Sequence, residues 1–331
     1  FNKQSGGHQL TVVIYVDDLF ITCAEEAEVE IFLSGIVERF KEITINRGPV
    51  HSYLGMVFDF RTPSKVVVDM RSYVDDLIKA SGTVGRASSP ANNDLFIVHT
   101  AEPLKASDAR EFHSLVAKAL YLAKRSRPDI LTAIGFLTTR VREPTEQDRQ
   151  KLSRVLKYLN DTRELCLTLE RADGPCAAYV DASFAVHSDK KSHSGFAATV
   201  GKGAVLCASS KQKLTTKSST EAELVAVSDK VGHALWLNNL VYEQEKYKKK
   251  EQEPITLFED NQSCIALIRS GKPSSSKSRH ISIRYFFIKD RVERNEINLT
   301  YLPTEEMVAD LLTKPVQGSL FRALRNRLLN C

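Results

Sequence analysis

Beyond the turn sequence Asp173-Gly174-Pro175, three short strands follow one another directly, over residues 177–181, 195–200 and 204–209. Gly201-Lys202-Gly203 joins the last two as a tight turn. The period then changes. A long helix is expected over about 220–241, a strand at 255–259, helices at 261–270 and 280–294, a strand at 297–302 and a short helix at 304–313. Three antiparallel strands followed by alternating helix and strand call for a mixed sheet layered with helices, an α/β (α+β) architecture.

The first half reads differently. Residues 10–23 (LTVVIYVDDLFITC) are two β-branched apolar runs around Asp17-Asp18, which is a hairpin pattern. A helix over 25–40, strands at 53–60 and 65–69 joined by Thr62-Pro63-Ser64, and a helix over 71–80 follow. Residues 81–107 lack periodicity and read as a linker or loop. Residues 108–165 have helical spacing at Phe112, Leu115, Val116, Ala119 and again at Leu152, Val155, Leu156, Leu159. Arg127-Pro128 and Glu143-Pro144 break that stretch into about three helices.

A length of 331 residues suggests about two domains, and 42% hydrophobic with 26% charged residues is ordinary globular composition. The net charge of +5 permits a nucleic-acid partner without establishing one. The six cysteines are scattered with no Cys-x-x-Cys pair, which argues against a zinc module or a disulfide framework and for a reducing, intracellular compartment. The longest aliphatic runs are too short to span a bilayer, so no membrane role is expected. The chain opens at Phe1 without a leader pattern and reads as a piece of something longer. The run Lys246 to Lys250 reads as a solvated loop.

Four acidic residues of the second half stand where strands end or helices begin: Asp181, Glu223, Asp260 and Asp310. Carboxylates from adjacent strand ends and flanking helices can converge. Four anionic oxygen donors in one place repel unless a cation neutralises them, and hard divalent ions favour such a shell. Two ions about 3.5–4 Å apart can activate water and stabilise the leaving oxygen of a phosphodiester. Each position has an ordinary reading too. Asp181 suits a turn, Asp260 next to Asn261 suits a helix cap, and Asp310 suits a solvated helix face. Ser218-x-x-Glu221 has capping-box spacing, which leaves Glu223 to face the site.

Together the motifs Tyr-Val-Asp-Ala-Ser-Phe, Ser-x-Ser-Gly-Phe, Lys-Ser-Ser-Thr-Glu-Ala-Glu-Leu, Glu-Asp-Asn-Gln-Ser and Ala-Asp-Leu-Leu-Thr-Lys resemble the RNase H domain of copia-type LTR retrotransposons. The resemblance covers residues 173–316. It implies an RNase H-like mixed sheet and an acidic quartet, Asp181, Glu223, Asp260 and Asp310, holding two Mg²⁺ or Mn²⁺ ions. It also implies hydrolysis of the RNA strand of an RNA–DNA hybrid. Glu223 is preferred to Glu221 because its Glu-Leu-x-Ala context resembles the helix carrying the RNase H glutamate. The histidine that many such enzymes place before the last acidic helix is missing from Leu302-Pro303-Thr304-Glu305, and His280 is assigned no catalytic role. Lys211, Lys213 and Lys217, interleaved with Ser and Thr, and a second cluster of Lys277, Arg279 and Arg284 suit phosphate contacts; exposed charge explains them equally well.

Tyr15-Val16-Asp17-Asp18 resembles the reverse-transcriptase signature, in which paired aspartates hold the polymerase's metal ions. The same five residues, Tyr15 to Leu19, recur at Tyr73 to Leu77 with helical flanks, where they read as a surface helix. Tyr53-Leu54-Gly55-Met56, Ala119-Leu120-Tyr121-Leu122 and Arg127-Pro128-Asp129-Ile130 extend the resemblance over nearly the whole chain. It implies a truncated reverse transcriptase (end of palm, thumb) over 1–100, a helical connection over 101–172, the RNase H-like domain over 173–316 and a C-terminal helix or tail over 317–331. Polymerisation needs a further carboxylate and a fingers region, which cannot fit in the sixteen residues before Asp17. The polymerase half is therefore expected to be inactive alone, its N-terminal region residing elsewhere in a parent polyprotein. Two other readings stay open: an inert transposon remnant that only binds nucleic acid, and an α/β interaction domain whose acids are structural.

Overall fold

The computed structural model describes residues 1–5, 8–245, 251–271 and 282–331; the run Lys246 to Lys250 lies outside them. Strands β1 (Asn2–Ser5), β2 (His8–Tyr15) and β3 (Asp18–Thr22) make an antiparallel sheet. Tyr15 pairs with Asp18, so Val16 and Asp17 alone form the turn of the expected hairpin. Val16 takes a φ of 55°, a strained conformation for a β-branched residue. Of β2 only Leu10 and Val12 are buried, while Val13, Ile14 and Tyr15 stand exposed.

Helix α1 (Glu26–Phe40) leads to β4 (Val50–Tyr53), β5 (Met56–Asp59) and β6 (Lys65–Asp69). The stretch 53–60, read from sequence as one strand, is interrupted. Leu54 and Gly55 both adopt positive φ and fold it back as a two-residue hairpin turn. The repeated pentapeptide lies in α2 (Arg71–Ser81), with Val74 and Leu77 buried and Asp75 and Asp76 exposed, as its flanks predict. Residues 82–105 hold no helix or strand, yet they are not a free linker: Ala91, Leu95 and Phe96 are buried in the core.

Helices α3 (Ala106–Arg125), α4 (Leu131–Thr138) and α5 (Glu146–Asp161) break where the prolines stand. Arg127 and Asp129, between α3 and α4, are almost wholly buried as an ion pair 2.8 Å apart. Arg127 also donates to the Thr162 carbonyl at 2.9 Å, and the Tyr158 hydroxyl donates to Asp129 at 2.6 Å. These partners satisfy charges whose burial otherwise costs several kcal/mol per ion, on the order of a domain's whole stability.

Strand β7 (Leu167–Arg171) carries no clear sequence signal and pairs with β6. The second-half sheet begins after Asp173-Gly174-Pro175 with β8 (Ala177–Ser183), β9 (His193–Thr199), the two-residue β10 (Gly201–Lys202) and β11 (Ala204–Lys211). β10 turns away to pair with β7, tying the two sheets together. Gly201 and Gly203 permit this: a Cβ on either would lie 2.2–2.3 Å from a β7 carbonyl oxygen. The chain continues through α6 (Ser219–Glu245), β12 (Ile255–Glu259), α7 (Gln262–Ser270), α8 (Ser282–Glu293), β13 (Ile297–Tyr301) and α9 (Gly318–Leu329).

The sheet order is β11-β9-β8-β12-β13, antiparallel among the first three, with β12 parallel to β8 and β13. This is the mixed α/β sheet expected. One face packs on α6, α7 and α8 through Val180, Phe196, Leu224, Val231, Ile255 and Leu257. Across the other face, Ala197 and Ala204 join a core with Phe136, Leu152 and Leu156 of the connection helices and Leu312, Phe321 and Leu324 near the C-terminus. The hydrophobic core thus runs across the turn at residue 173. Among the described residues, no helix is long and apolar enough to cross a membrane.

Candidate metal centre

Asp181 lies within β8, two residues before its end, because β9 continues the pairing to Ser183. Alternation turns it into the protein, where it is 1% exposed. Glu223 sits in the first turns of α6. The Ser218 hydroxyl accepts from the Glu221 N–H at 3.2 Å, and Glu221 accepts from the Lys217 N–H at 2.8 Å. Glu221 is thus spent on the helix start, and Glu223 is left to turn inward, buried. Asp260 follows β12. Asn261 caps α7 by accepting from the Cys264 N–H at 3.0 Å, so Asp260 is not needed as a cap; it accepts from Thr304 at 2.7 Å.

Asp310 stands not on a helix over 304–313 but on the second of two 3-10 turns, Thr304–Glu306 and Val308–Leu312. Met307 separates them with an extended ψ of 94°, its side chain fully buried. The second turn lies against β9 at Gly195. A Cβ at Gly195 would lie 2.6 Å from Thr313 and 2.7 Å from the Ala309 carbonyl oxygen, so only glycine lets the Asp310 turn come this near Asp181.

The four acids, together with Glu259, form two overlapping groups. Asp181, Asp260 and Asp310 each offer an oxygen, all within 4.8 Å of one another, and so do Glu223, Glu259 and Asp260. Asp260 belongs to both. Glu259, fully buried at the end of β12, was not picked out from sequence. Its position on the same face as Ile255 and Leu257 was the available signal. Lys314 and Thr313 were also missed as individual residues. Lys314 Nζ lies 2.8 Å from Asp310 and 3.4 Å from Asp181, and the Thr313 hydroxyl donates to Asp181. Lys314 supplies one positive charge to a set of five carboxyls.

The electrostatics reflect that imbalance. Burial, then the Asp181 charge, pushes Asp310 up to about 7 despite Lys314. Burial raises Glu223 well above the usual carboxylate range, with Glu259, Asp181 and Asp260 adding repulsion. Glu259 is raised chiefly by burial as well, against the opposing Asn261 N–H. Burial disfavours the Lys314 charge, but Asp181 and Asp310 outweigh it and hold the ammonium above its ordinary range. Such a donor set, all hard oxygens with crowded negative charge, fits Mg²⁺ or Mn²⁺.

The other expected site residues fall elsewhere. Asp17 and Asp18 are exposed at the hairpin tip and belong to neither acidic group among the described residues. Lys211 is held by Asp189 at 2.7 Å. Lys213 and Lys217 are exposed on the segment entering α6. Arg284 pairs with Asp229. Lys277, Arg279 and His280 lie outside the described residues.

No protein-family model matches the chain. Among curated proteins, it is 27% identical over 99% of its length to the retrovirus-related Pol polyprotein from transposon RE1 of Arabidopsis thaliana. It is 25% identical over 97% to that from transposon TNT 1-94 of Nicotiana tabacum, and 24% identical over 97% to the transposon Ty1-DR5 Gag-Pol polyprotein of Saccharomyces cerevisiae. Its homologues are Ty1/copia-type Pol polyproteins. The chain spans 22%, 24% and 19% of these three relatives. Similar solved structures include LC11-RNase H1 isolated from compost (14% identity, 43% of this chain and 94% of that one, TM-score 0.33). Another is the prototype foamy virus protease-reverse transcriptase (15% identity, 93% of this chain and 37% of that one, TM-score 0.30).

Proposed function

We propose that this chain is the C-terminal part of a retrotransposon reverse transcriptase, and that its second half is an RNase H cutting the RNA strand of RNA–DNA hybrids. The observation that carries the reading is the convergence of Asp181, Glu223, Asp260 and Asp310, remote in sequence, with Asp260 common to two ligand groups. In this reading Asp181, Asp260 and Asp310 hold one divalent ion and Glu223 and Asp260 contribute to a second. Bound there, the ions supply an activated water and stabilise the leaving oxygen of the scissile phosphodiester. The protein's own part is positional. Gly195 admits the Asp310 turn, Asn261 frees Asp260 from capping, Glu221 does the same for Glu223, and Thr313 orients Asp181. Lys213 and Lys217, exposed just before α6, are proposed to meet the nucleic-acid backbone. Lys211 is proposed to do so after leaving Asp189.

The divisions 1–100, 101–172, 173–316 and 317–331 are proposed as functional segments, although packing joins them. Asp17 and Asp18 are proposed as the polymerase's metal-binding pair, inactive in this chain. Their place at an exposed hairpin tip, flanked by exposed Val13, Ile14 and Tyr15, supports a sheet meant to be covered by further polymerase structure. An intracellular location belongs to the same proposal. The test is cleavage of a labelled RNA–DNA hybrid by the full chain in Mg²⁺ or Mn²⁺. Activity lost in Asp181→Asn and Glu223→Gln supports the reading, and an intact hybrid in both metals removes it.

A further inference from the structure

Glu259 breaks the pattern of its own strand. Along β12 the inward positions are Ile255, Leu257 and Glu259, all buried, and the first two pack in the core against α6. The pleat calls for a third apolar side chain here. A carboxylate in that place is costly unless its oxygens are satisfied. One is: Glu259 Oε1 accepts from the Asn261 N–H at 3.1 Å. Glu259 Oε2 has no hydrogen-bond partner, although the residue is 0% exposed. Glu223, 5% exposed, also carries a buried Oε2 with no partner. One carboxylate oxygen each of Glu223, Glu259 and Asp260 lies within 4.8 Å of the other two, with Glu223 and Glu259 buried and Asp260 half-buried.

We propose that Glu259 is a fifth carboxylate ligand of the centre, joining Glu223 and Asp260 around a hard divalent cation such as Mg²⁺ or Mn²⁺. The inference deepens the proposed nuclease site and rests on that reading. Asp260 belongs to both acidic groups, so its carboxylate would be within reach of two adjoining cations, in keeping with the compactness of two-metal sites. A cation held among these carboxylates would offset the negative charge that burial leaves without hydrogen-bond partners on Glu223 and Glu259. A proton shared between Glu223 and Glu259 is the competing account, and it leaves metal binding independent of Glu259.

The probe is Mn²⁺ alone, titrated into the full EDTA-stripped chain, with bound ions counted by electron paramagnetic resonance. The wild type should take up two ions. Glu259→Gln, close to isosteric, should lose one or bind it roughly tenfold or more weakly. Two ions bound by Glu259→Gln with wild-type affinity overturn the inference and leave the quartet reading standing. A wild type that binds no Mn²⁺ overturns both. Should Glu259→Gln fail to fold, anomalous diffraction from Mn²⁺-soaked wild-type crystals decides. A manganese peak bonded to Glu259 bears the proposal out, and peaks bonded only to the other four acids end it.

Discussion

Asp181 on β8 faces Gly195 on β9 as its strand partner, and the hydrogen in place of a Gly195 side chain is the space through which the Asp310 turn reaches Asp181. The obstructing atoms are a backbone carbonyl and a threonine methyl, neither of which can swing aside freely. Gly195→Ala should therefore lower stability by about 1–3 kcal/mol, as overpacking does. It should also weaken Mn²⁺ binding by pushing Asp310 outward. Urea denaturation and a Mn²⁺ titration check this, and wild-type behaviour in both contradicts it.

Arg127 and Asp129 predict a larger effect with no bearing on the metal. Removing Asp129 leaves a buried guanidinium with no counter-charge. Asp129→Ala should cost about 3–5 kcal/mol. A urea midpoint close to wild type would show that the pair is not closed to solvent.

Asp310 makes metal binding pH-dependent. Its carboxyl, pushed up to about 7, holds a proton more tightly in the folded chain than in the unfolded one. In EDTA, its contribution to stability is full below about pH 4 and is lost as pH rises through 7. Proton and cation compete for the same oxygens, so Mn²⁺ should bind more weakly at pH 6 than at pH 8. Equal affinities at the two pH values contradict this.

The buried histidine pair acts in the opposite sense. His187 Nε2 lies 3.0 Å from His193 Nδ1, and His193 Nε2 lies 2.7 Å from Ser209 Oγ. Burial, chiefly, pushes His187 down to about 4 and His193 to about 3. Both stay neutral when folded, so their contribution is present above about pH 6.5 and is lost as pH falls toward 4, where the unfolded chain takes protons first. Asp310, Glu223 and Glu259, all raised by burial, titrate in the opposing sense, and combining Asp310→Asn, Glu223→Gln and Glu259→Gln removes all three. In that background the urea midpoint in EDTA should fall steadily from pH 7 to pH 5, and a flat profile contradicts it.

Much of the fold was legible because the periods were clean. The strands of the second half, α6 and the breaks at Pro128 and Pro144 stand where spacing places them, except β10, whose Gly201 and Lys202 read as a turn and instead pair with β7. The pentapeptide repeat shows why context was needed: its neighbours, not its own residues, make it a hairpin at Tyr15 and a helix at Tyr73. Strand β7 was hidden because its partner β6 lies far back in the sequence, with Val68 paired to Leu167. The split at Leu54-Gly55 was hidden by a leucine at positive φ, which composition does not announce. The order of the quartet could be read. Glu259 carried only its alternation with Ile255 and Leu257 as a signal, and an acidic residue beside Asp260 looks like surface until the strand's inward face is known.

The most direct test of the account labels the two strands of a hybrid separately and incubates it with the full chain in Mn²⁺, alongside Asp260→Asn, whose side chain is common to both ligand groups. The account predicts cuts in the RNA strand only, abolished by EDTA and by Asp260→Asn. Cuts that persist in Asp260→Asn, or a hybrid that is bound yet never cut, would contradict it.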